Sequence, residues 1–242
     1  MNRRQRNSPE SRLLKRQPTA EWLDAEAGRP AEIVASFRDL RFINRYFGGD
    51  VATRAMIERV AAASQITSLS LLEVAAGSGD GPLAVRRSLK RRGLHLDVTL
   101  LDRAASHLLT PDRRNGTPTV IGDALALPFR DESFDLVGCT LFAHHLSPLQ
   151  LGQFVHEGLR VCKKAVLIND LVRDIRHLAL SYAALPLFRS RLTRHDAIAS
   201  VRQAYTQEEM AVLLRPTKGA RVEIHRRYLF RMAVVIWKQV GS

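Results

Sequence analysis

Cysteine, aromatic residues and long apolar runs are scarce in this 242-residue sequence, and each scarcity excludes a class of protein. The two cysteines, Cys139 and Cys162, lie in apolar surroundings. We expect neither a disulfide framework nor a metal site from them, and a reducing cytoplasm fits. The longest apolar run near the C-terminus, residues 232–237, is far too short to cross a bilayer. With 45% hydrophobic residues, the chain can still bury the core of one globular domain.

The charge balance is strongly positive, with 37 Lys and Arg against 24 Asp and Glu. Such a balance could attract nucleic acid, an acidic membrane surface or an anionic substrate. The basic residues are dispersed, however, and aromatic residues, which stack on bases, make up only 6% of the chain. Six of the basic residues lie within the first sixteen positions, in a segment without apolar periodicity. We expect residues 1–18 to form a flexible basic tail and not a secretory leader.

Strand-like and helix-like segments alternate along most of the chain after two helical segments that precede residue 66. Seven segments predict strands: residues 68–75, 95–102, 118–124, 134–142, 164–171, 220–230 and 231–240. This alternation is typical of a parallel sheet with helices on both faces, and the last two strands form an antiparallel hairpin. We therefore predict a single α/β domain over residues 19–242. Residues 19–66 form an N-terminal helical cap, and residues 172–205 form a helical insertion that acts as a substrate lid.

A glycine-rich stretch, LLEVAAGSGDGPL, follows the first predicted strand and precedes a helix. Gly77, Gly79 and Gly81 leave the backbone bare at alternate positions, which lets a ligand approach it closely. Two phosphate-binding motifs are excluded. The third glycine of a dinucleotide fingerprint would fall at Pro82, and a phosphate-cradling loop would need a lysine where Pro82 and Leu83 stand. We therefore expect a ligand that is not held by its phosphates.

Three acidic residues stand at predicted strand ends around that turn. Asp102 follows Gly79 by 23 residues, where a carboxylate can accept hydrogen bonds from both hydroxyls of a ribose. Asp123 ends the third strand, where its side chain can accept a hydrogen bond from an adenine amino group. Glu73 ends the first strand, where a carboxylate favours a nearby cation. Together these residues predict a nucleoside ligand without phosphate.

These stretches resemble the class I, Rossmann-like S-adenosylmethionine-dependent methyltransferases. LLEVAAGSG is similar to the family's acidic-x-Gly-x-Gly-x-Gly motif, VTLLDRA to its ribose-binding strand end, and GDALALPFRDESFDLV to its adenine-binding loop and fourth strand. The resemblance implies a Rossmann-like, seven-stranded, mostly parallel sheet with one antiparallel C-terminal strand, and S-adenosyl-L-methionine as cofactor. It implies the following cofactor contacts: Glu73, Ala75, Gly77, Gly79, Asp102, Arg103, Asp123 and Ala124. Ala75 stands where the family has its first glycine, so we expect its methyl group to crowd the amino-acid end of the cofactor.

Outside that core, FRDLRFINRYFGGD, LFAHHLS and LINDLVRD resemble a narrower bacterial group. It lies near the quinone-biosynthesis C-methyltransferases and the methyltransferases of polyketide or phenolic-lipid pathways. This resemblance implies a small lipophilic or aromatic acceptor and does not separate C- from O-methylation. His144 and His145 follow the fourth strand at the open end of the sheet, where an imidazole could act as a base. We favour His145 and expect the other histidine to serve the scaffold; His195, beside Asp196, is a rival.

Two other functions stay open at this point. An RNA methyltransferase fits the positive charge, but the fourth strand ends in CTLFAHHL and lacks the Asn/Asp-Pro-Pro-aromatic motif of base-amine methyltransferases. A non-catalytic homologue that only binds the cofactor is the third interpretation. We expect a small-molecule substrate and no nucleic-acid partner. A peripheral contact with an acidic membrane surface stays open, and the sequence does not specify the oligomeric state.

Overall fold

The computed structural model describes residues 14–25, 27–108, 116–215, 217 and 219–239. Within them, seven strands form one sheet in the order β3-β2-β1-β4-β5-β7-β6. The strands are β1 (Ser68–Val74), β2 (His95–Asp102), β3 (Thr119–Ile121), β4 (Phe134–Thr140), β5 (Cys162–Leu171), β6 (Ala220–Arg227) and β7 (Arg231–Lys238). β1 pairs in parallel with β2 and β4, whereas β7 runs antiparallel to β5 and β6. The predicted mostly parallel sheet with an antiparallel C-terminal strand is confirmed.

Helices pack on both faces of this sheet and over its carboxyl edge. They are α1 (Pro30–Tyr46), α2 (Gly49–Ser64), α3 (Asp80–Lys90), α4 (Ala105–Leu108), α5 (Pro148–Val161), α6 (Ile175–Ala184), α7 (Arg191–Gln203) and α8 (Gln207–Leu214). Local signals set several of their ends. Ser147 and Thr206 form capping boxes with Gln150 and Glu209 at the starts of α5 and α8. None of the helices in the described ranges is long and apolar enough to span a membrane.

The side-chain alternation of β1 supplies both layers of the core. Leu71 and Leu72 are both fully buried, yet they point to opposite faces of the sheet. Leu72 packs with the cluster that contains Phe154 of α5, and Leu71 packs with the cluster that contains Met56 and Ile57 of α2. Because β1 is covered on both sides, it is a central strand, and its carboxyl end opens between the helical layers.

Two side chains fasten the N-terminal cap to the insertion. Asp39 of α1 accepts hydrogen bonds from the backbone N–H groups of Arg189 and Ser190, at 2.9 and 3.0 Å. The hydroxyl of Ser36 donates to that of Ser190 at 2.8 Å. These bonds lie at the start of α7, so the cap and the insertion form one roof over the carboxyl edge of the sheet.

The structure corrects the expected boundary of the N-terminal tail. Residues 1–13 lie outside the described residues, but residues 14–18 are docked and do not form a flexible tail. The guanidinium of Arg16 donates to the backbone oxygens of Gln203, His144 and Leu146 at 2.7–3.0 Å and lies over the Tyr205 ring. The backbone of the segment adds two bonds: Leu14 O accepts from Arg173 Nε at 2.6 Å, and Gln17 N–H donates to Arg202 O at 3.0 Å. Because polar groups make these contacts, no apolar periodicity in the sequence reveals the docking.

Candidate active site

The turn that follows β1 adopts a left-handed backbone at three positions. Ala75 and Gly77 both have a φ of +52°. Gly79, the N-cap of α3, has a φ of +71°. Glycine adopts this conformation without steric cost, whereas an alanine is strained in it. The turn therefore needs its glycines for its own shape, and Ala75 occupies a position where glycine would be relaxed.

Phe37 of α1 lies against this turn. A Cβ atom added to Gly77 would lie 3.0 Å from Cε1 of Phe37, so the Phe37 ring would have to shift by a few tenths of an ångström to admit a side chain there. The Phe37 ring also packs edge-on against His107, with the ring centroids 5.2 Å apart. The N-terminal cap thus forms a wall of the space above the glycine turn.

Asp102, the last residue of β2, holds the turn in place. Its Oδ2 accepts a hydrogen bond from the backbone N–H of Gly77 at 2.8 Å, and its Oδ1 accepts one from Ala104 at 2.9 Å. Burial alone would raise the pKa of Asp102, but hydrogen bonds from His107, Ala104 and Gly77 keep that pKa below its usual value. Asp102 is therefore an anion at neutral pH beside the bare backbone of the turn.

Glu73, one residue before the end of β1, is a buried carboxyl group. Burial raises its pKa to about 7, although a hydrogen bond with Thr140 opposes the shift. The side chain lies across Gly138 of β4, where an added Cβ atom would come within 2.9 Å of Glu73 Oε2. Among the residues that the structure describes, Oε2 has no hydrogen-bond partner. A cation next to it would stabilise the carboxylate.

A cavity of about 590 Å³ opens above these strand ends, between the sheet and the helical roof. All but one of the predicted cofactor residues line it: Glu73, Ala75, Gly77, Asp102, Arg103, Asp123 and Ala124. The exception is Gly79, which is buried beneath the turn as the N-cap of α3. The structure therefore brings together strand-end residues that lie up to 51 positions apart in the sequence.

His144 belongs to a buried ionic network. It lies in a 3₁₀ turn after β4, and only 2% of its side chain is exposed. Its Nδ1 is 2.6 Å from Asp170 Oδ1, and its Nε2 is 3.3 Å from Glu21 Oε1. Burial would lower the pKa of His144, but Asp170 and Glu21 outweigh it and raise that pKa to about 10. His144 is thus an imidazolium at neutral pH, which removes it as a base.

His145 has a different protonation state. Its Nδ1 lies 3.0 Å from Asp24 Oδ2 and its Nε2 lies 3.7 Å from Glu21 Oε2. Burial and the positive charge of His144 lower the pKa of His145 below its ordinary value. The neutral ring can donate from Nδ1 to Asp24 and keep a lone pair on Nε2. A neutral imidazole in a cavity wall is suited to accept a proton.

The chain shares its fold with solved methyltransferases. The plantazolicin methyltransferase BpumL, crystallised with a monoazolic desmethylPZN analog and SAH, superposes with a TM-score of 0.67 at 12% identity, over 90% of this chain and 93% of that one. A SAM-dependent methyltransferase from Aquifex aeolicus superposes with a TM-score of 0.51 at 15% identity, over 70% of this chain and 81% of that one. Identities this low show a common fold alone.

Sequence comparison identifies one segment of the chain. A demethylmenaquinone methyltransferase of Thermotoga maritima is 35% identical over 92 residues, which span 38% of this chain and 38% of that protein. Residues 72–168 match the family model of a methyltransferase domain. This segment is a methyltransferase domain. The matched segment begins within β1 and ends within β5, so it includes the glycine turn, Asp102 and the histidine pair.

The histidine pair of this methyltransferase domain is completed by carboxylates that the sequence did not reveal. Glu21 lies in a segment without regular structure, 123 positions before His144, and no local pattern marks it. Asp170 stands near the end of β5, so the strand-end argument that selected Asp102 could have selected it as well. The ligand atoms of Glu21, His144 and His145 lie within 4.8 Å of one another, a spacing that a divalent cation could also use.

The rival histidine, His195, lies in α7, outside the segment that matches the methyltransferase domain. His195 of α7 stacks on Trp22 at a centroid distance of 4.0 Å, and its Nδ1 lies 2.8 Å from Asp196 Oδ1. Asp196 lines the cavity, and its carboxylate also accepts the backbone N–H groups of Trp22 and Leu23. These contacts give His195 and Asp196 a role in docking the N-terminal segment onto α7.

Proposed function

We propose that the protein transfers the methyl group of S-adenosyl-L-methionine to a small lipophilic or aromatic acceptor of the phenol, quinone or polyketide type. The observation that carries the proposal is the bond between Gly77 and Asp102. It places an ionised carboxylate beside a bare backbone turn, in the wall of a cavity that extends beyond the strand ends.

The residues around the turn fit the chemical groups of the cofactor. Asp102 can accept hydrogen bonds from both ribose hydroxyls, and Asp123 can accept one from the adenine amino group. The unpartnered Oε2 of Glu73, noted above for the described residues, can accept one from the cofactor's ammonium group. When bound, the cofactor supplies a sulfonium methyl group, which a nucleophile displaces in line.

The walls of the remaining cavity support a lipophilic acceptor. Apolar side chains of α1, of its C-cap residue and of the insertion line it, among them Leu40, Ile43, Phe47, Leu180 and Phe188. These residues come from the predicted cap and lid, which meet over the carboxyl edge of the sheet. An acceptor enclosed there would be shielded from water, so the reactive methyl group would not be lost to hydrolysis.

His145 is the base in this proposal. Its neutral imidazole accepts the acceptor's proton, and the carboxylates of Asp24 and Glu21 stabilise the imidazolium that results. His144 already holds its proton through Asp170, so it orients the loop and takes no part in the transfer.

A labelled-methyl assay tests the proposal. The protein is incubated with labelled S-adenosylmethionine and, in separate reactions, quinone precursors, alkylresorcinol- or pyrone-like phenolics, and RNA, with and without EDTA. We expect label in one of the small-molecule sets and no effect of EDTA. Label in RNA alone would establish the RNA methyltransferase instead, and cofactor binding without transfer to any set would favour the non-catalytic homologue. Loss of transfer with EDTA would assign the Glu21, His144 and His145 cluster to a cation.

A further inference from the structure

An arginine side chain is buried in the wall of the cavity. Arg231 is the first residue of β7, is 1% exposed and lines the cavity. Its Nη2 donates a hydrogen bond to Asn44 Oδ1 of α1 at 2.9 Å. Its Nη1 has no hydrogen-bond partner anywhere in the described part of the chain. A guanidinium is a fork of five donors, so this one retains the capacity to bind a further acceptor.

No carboxylate within the described ranges forms an ion pair with Arg231. Asp170 and Asp50 favour the charged form of Arg231 through their electrostatic field, without a hydrogen bond to it. Asp170 is already bonded to His144, and burial raises the pKa of Asp50. Burial lowers the pKa of Arg231 to about 10, so the group is still a cation at neutral pH. A buried cation without a bonded counter-ion is costly, and an anionic ligand would relieve that cost.

The sheet order places this cation away from the cofactor residues. β7 is the third strand from β1, on the side of β4 and β5, whereas Asp102 and Asp123 lie on the β2 and β3 side. At a spacing of about 4.8 Å between strands, Arg231 lies roughly 14 Å from the glycine turn in the plane of the sheet. It is paired with Leu171 at the carboxyl end of β5. Arg231 therefore lines the side of the cavity that lies away from the cofactor residues, where we place the methyl acceptor.

We propose that Arg231 and Asn44 bind a carboxylate, or a comparable oxyanion, of the methyl acceptor. The inference rests on the proposed function and narrows its substrate class to lipophilic or aromatic acids. Nη1 of Arg231 donates to one oxygen of the anion. Asn44 uses its carbonyl oxygen for Arg231, so its amide hydrogens are available for the second oxygen. Leu229 and Phe47 line the same cavity and would contact the apolar body of the acid.

Paired ligands test the site without knowledge of the natural acceptor. Binding of 4-hydroxybenzoate, 1-hydroxy-2-naphthoate and decanoate is compared by calorimetry with binding of their neutral primary amides, in the presence of S-adenosylhomocysteine. We expect at least one acid to bind the natural protein tenfold or more tightly than its amide. Arg231→Gln should abolish that preference, and Arg231→Lys should keep part of it. Arg226→Gln is the matched control, because Arg226 is a half-exposed residue of the neighbouring strand whose nearest carboxylate is 4.0 Å away.

Three results would overturn the proposal: no preference for any acid over its amide, a preference that survives in Arg231→Gln, or an Arg231→Gln variant whose main loss is in affinity for S-adenosylmethionine. The last result would mean that the Arg231 guanidinium binds the carboxylate of the cofactor and not that of the acceptor. Failure of the proposed function is separable, because it would appear as absent cofactor binding in the natural protein, and the acid-amide comparison can be repeated without S-adenosylhomocysteine.

The thermal stability of the unliganded variants separates ligand binding from a structural role. If the cation is kept for a ligand, Arg231→Gln should melt no lower than the natural protein, because it removes a buried charge that has no bonded counter-ion. A melting temperature well below that of Arg226→Gln, together with an unchanged acid preference, would make Arg231 structural and would contradict the proposal.

Discussion

Asp102 Oδ2 accepts the backbone N–H of Gly77 at 2.8 Å, a bond that joins the end of β2 to the turn after β1. The same carboxylate holds the turn in its left-handed shape and presents acceptor capacity to the cavity. Folding and ligand binding therefore share one side chain. For this reason a substitution at Asp102 has to be measured on protein whose folding has been checked.

The strain at Ala75 predicts a stabilising substitution. Ala75 has a φ of +52°, which glycine adopts freely. We expect Ala75→Gly to raise the free energy of unfolding by about 1 kcal/mol, since the relief of left-handed strain exceeds the extra entropy of glycine in the unfolded chain. Urea denaturation measures it. Ala76→Gly is the control: Ala76 has no positive φ, so that variant should lose stability, and equal gains in both would contradict the strain argument.

The pKa of Glu73 predicts a pH-dependent affinity for the cofactor. Because that pKa is about 7, raising the pH from 5.5 to 6.5 increases the ionised fraction about eightfold. If the carboxylate pairs with the cofactor's ammonium group, affinity for S-adenosylmethionine should rise by about that factor, below the ammonium group's own titration. Calorimetry at several pH values measures it. Glu73→Gln should bind with no such slope, and a slope retained in that variant would assign it to another group.

The raised pKa of Glu73 also predicts how the free energy of unfolding changes with pH. The folded-state pKa of Glu73 lies above the ordinary 4.5, so its contribution to the free energy of unfolding is complete below pH 4.5 and is lost as the pH rises through 7. The cofactor-free protein should therefore lose stability across that window, and Glu73→Gln should lose less. Denaturation at pH 4.5 and pH 8 compares the two proteins; identical losses would mean that Glu73 is not buried as described.

His145 is expected to act on turnover alone. His145→Ala should lower kcat by about 10²–10⁴-fold with little change in cofactor affinity. The acidic limb of the kcat profile should lie below pH 6.5, because the pKa of His145 is lowered, and it should disappear in the variant. His156→Ala is the control, since His156 is 80% exposed. A kcat near that of the natural protein would exclude His145 as the base.

His144 is expected to act on stability. His144→Ala removes the partner of the buried Asp170 and should reduce the free energy of unfolding by about 3–5 kcal/mol. Urea denaturation beside His156→Ala measures the loss. A stable His144→Ala variant without activity would contradict this assignment, because it would give His144 a direct role in transfer.

Local patterns in the sequence were enough to predict the sheet and the glycine side of the site. The capping box of Thr206 with Glu209 and the end of β2 at Asp102 are properties of neighbouring residues, so short stretches of sequence specify them. Strand ends also converge by necessity in a parallel sheet. This convergence is why residues separated along the chain could be assigned to one cavity.

The other half of the site depends on long-range contacts that local patterns do not encode. Glu21 contacts His144 across 123 positions, from a segment without periodicity. Arg231 is the first residue of β7, and the sequence around it has only the features of a typical strand. The charge is buried because α1 and β5 pack around it in the completed fold. Which of the two histidines keeps its proton likewise depends on Asp170 and Glu21, whose positions follow from the completed fold.

Calorimetric titration of S-adenosylmethionine into the natural protein, Asp102→Ala and Asp97→Ala measures directly whether Asp102 binds the cofactor. Asp97 lies on the same strand with 73% of its side chain exposed, so its removal controls for the loss of a charge. We predict binding at one site in the natural protein and in Asp97→Ala, and binding weaker by about tenfold to a hundredfold in folded Asp102→Ala, the loss of charge-assisted hydrogen bonds to a ribose. Unchanged affinity in folded Asp102→Ala would exclude Asp102 as the ribose-binding residue, and no binding by the natural protein would exclude the cofactor site.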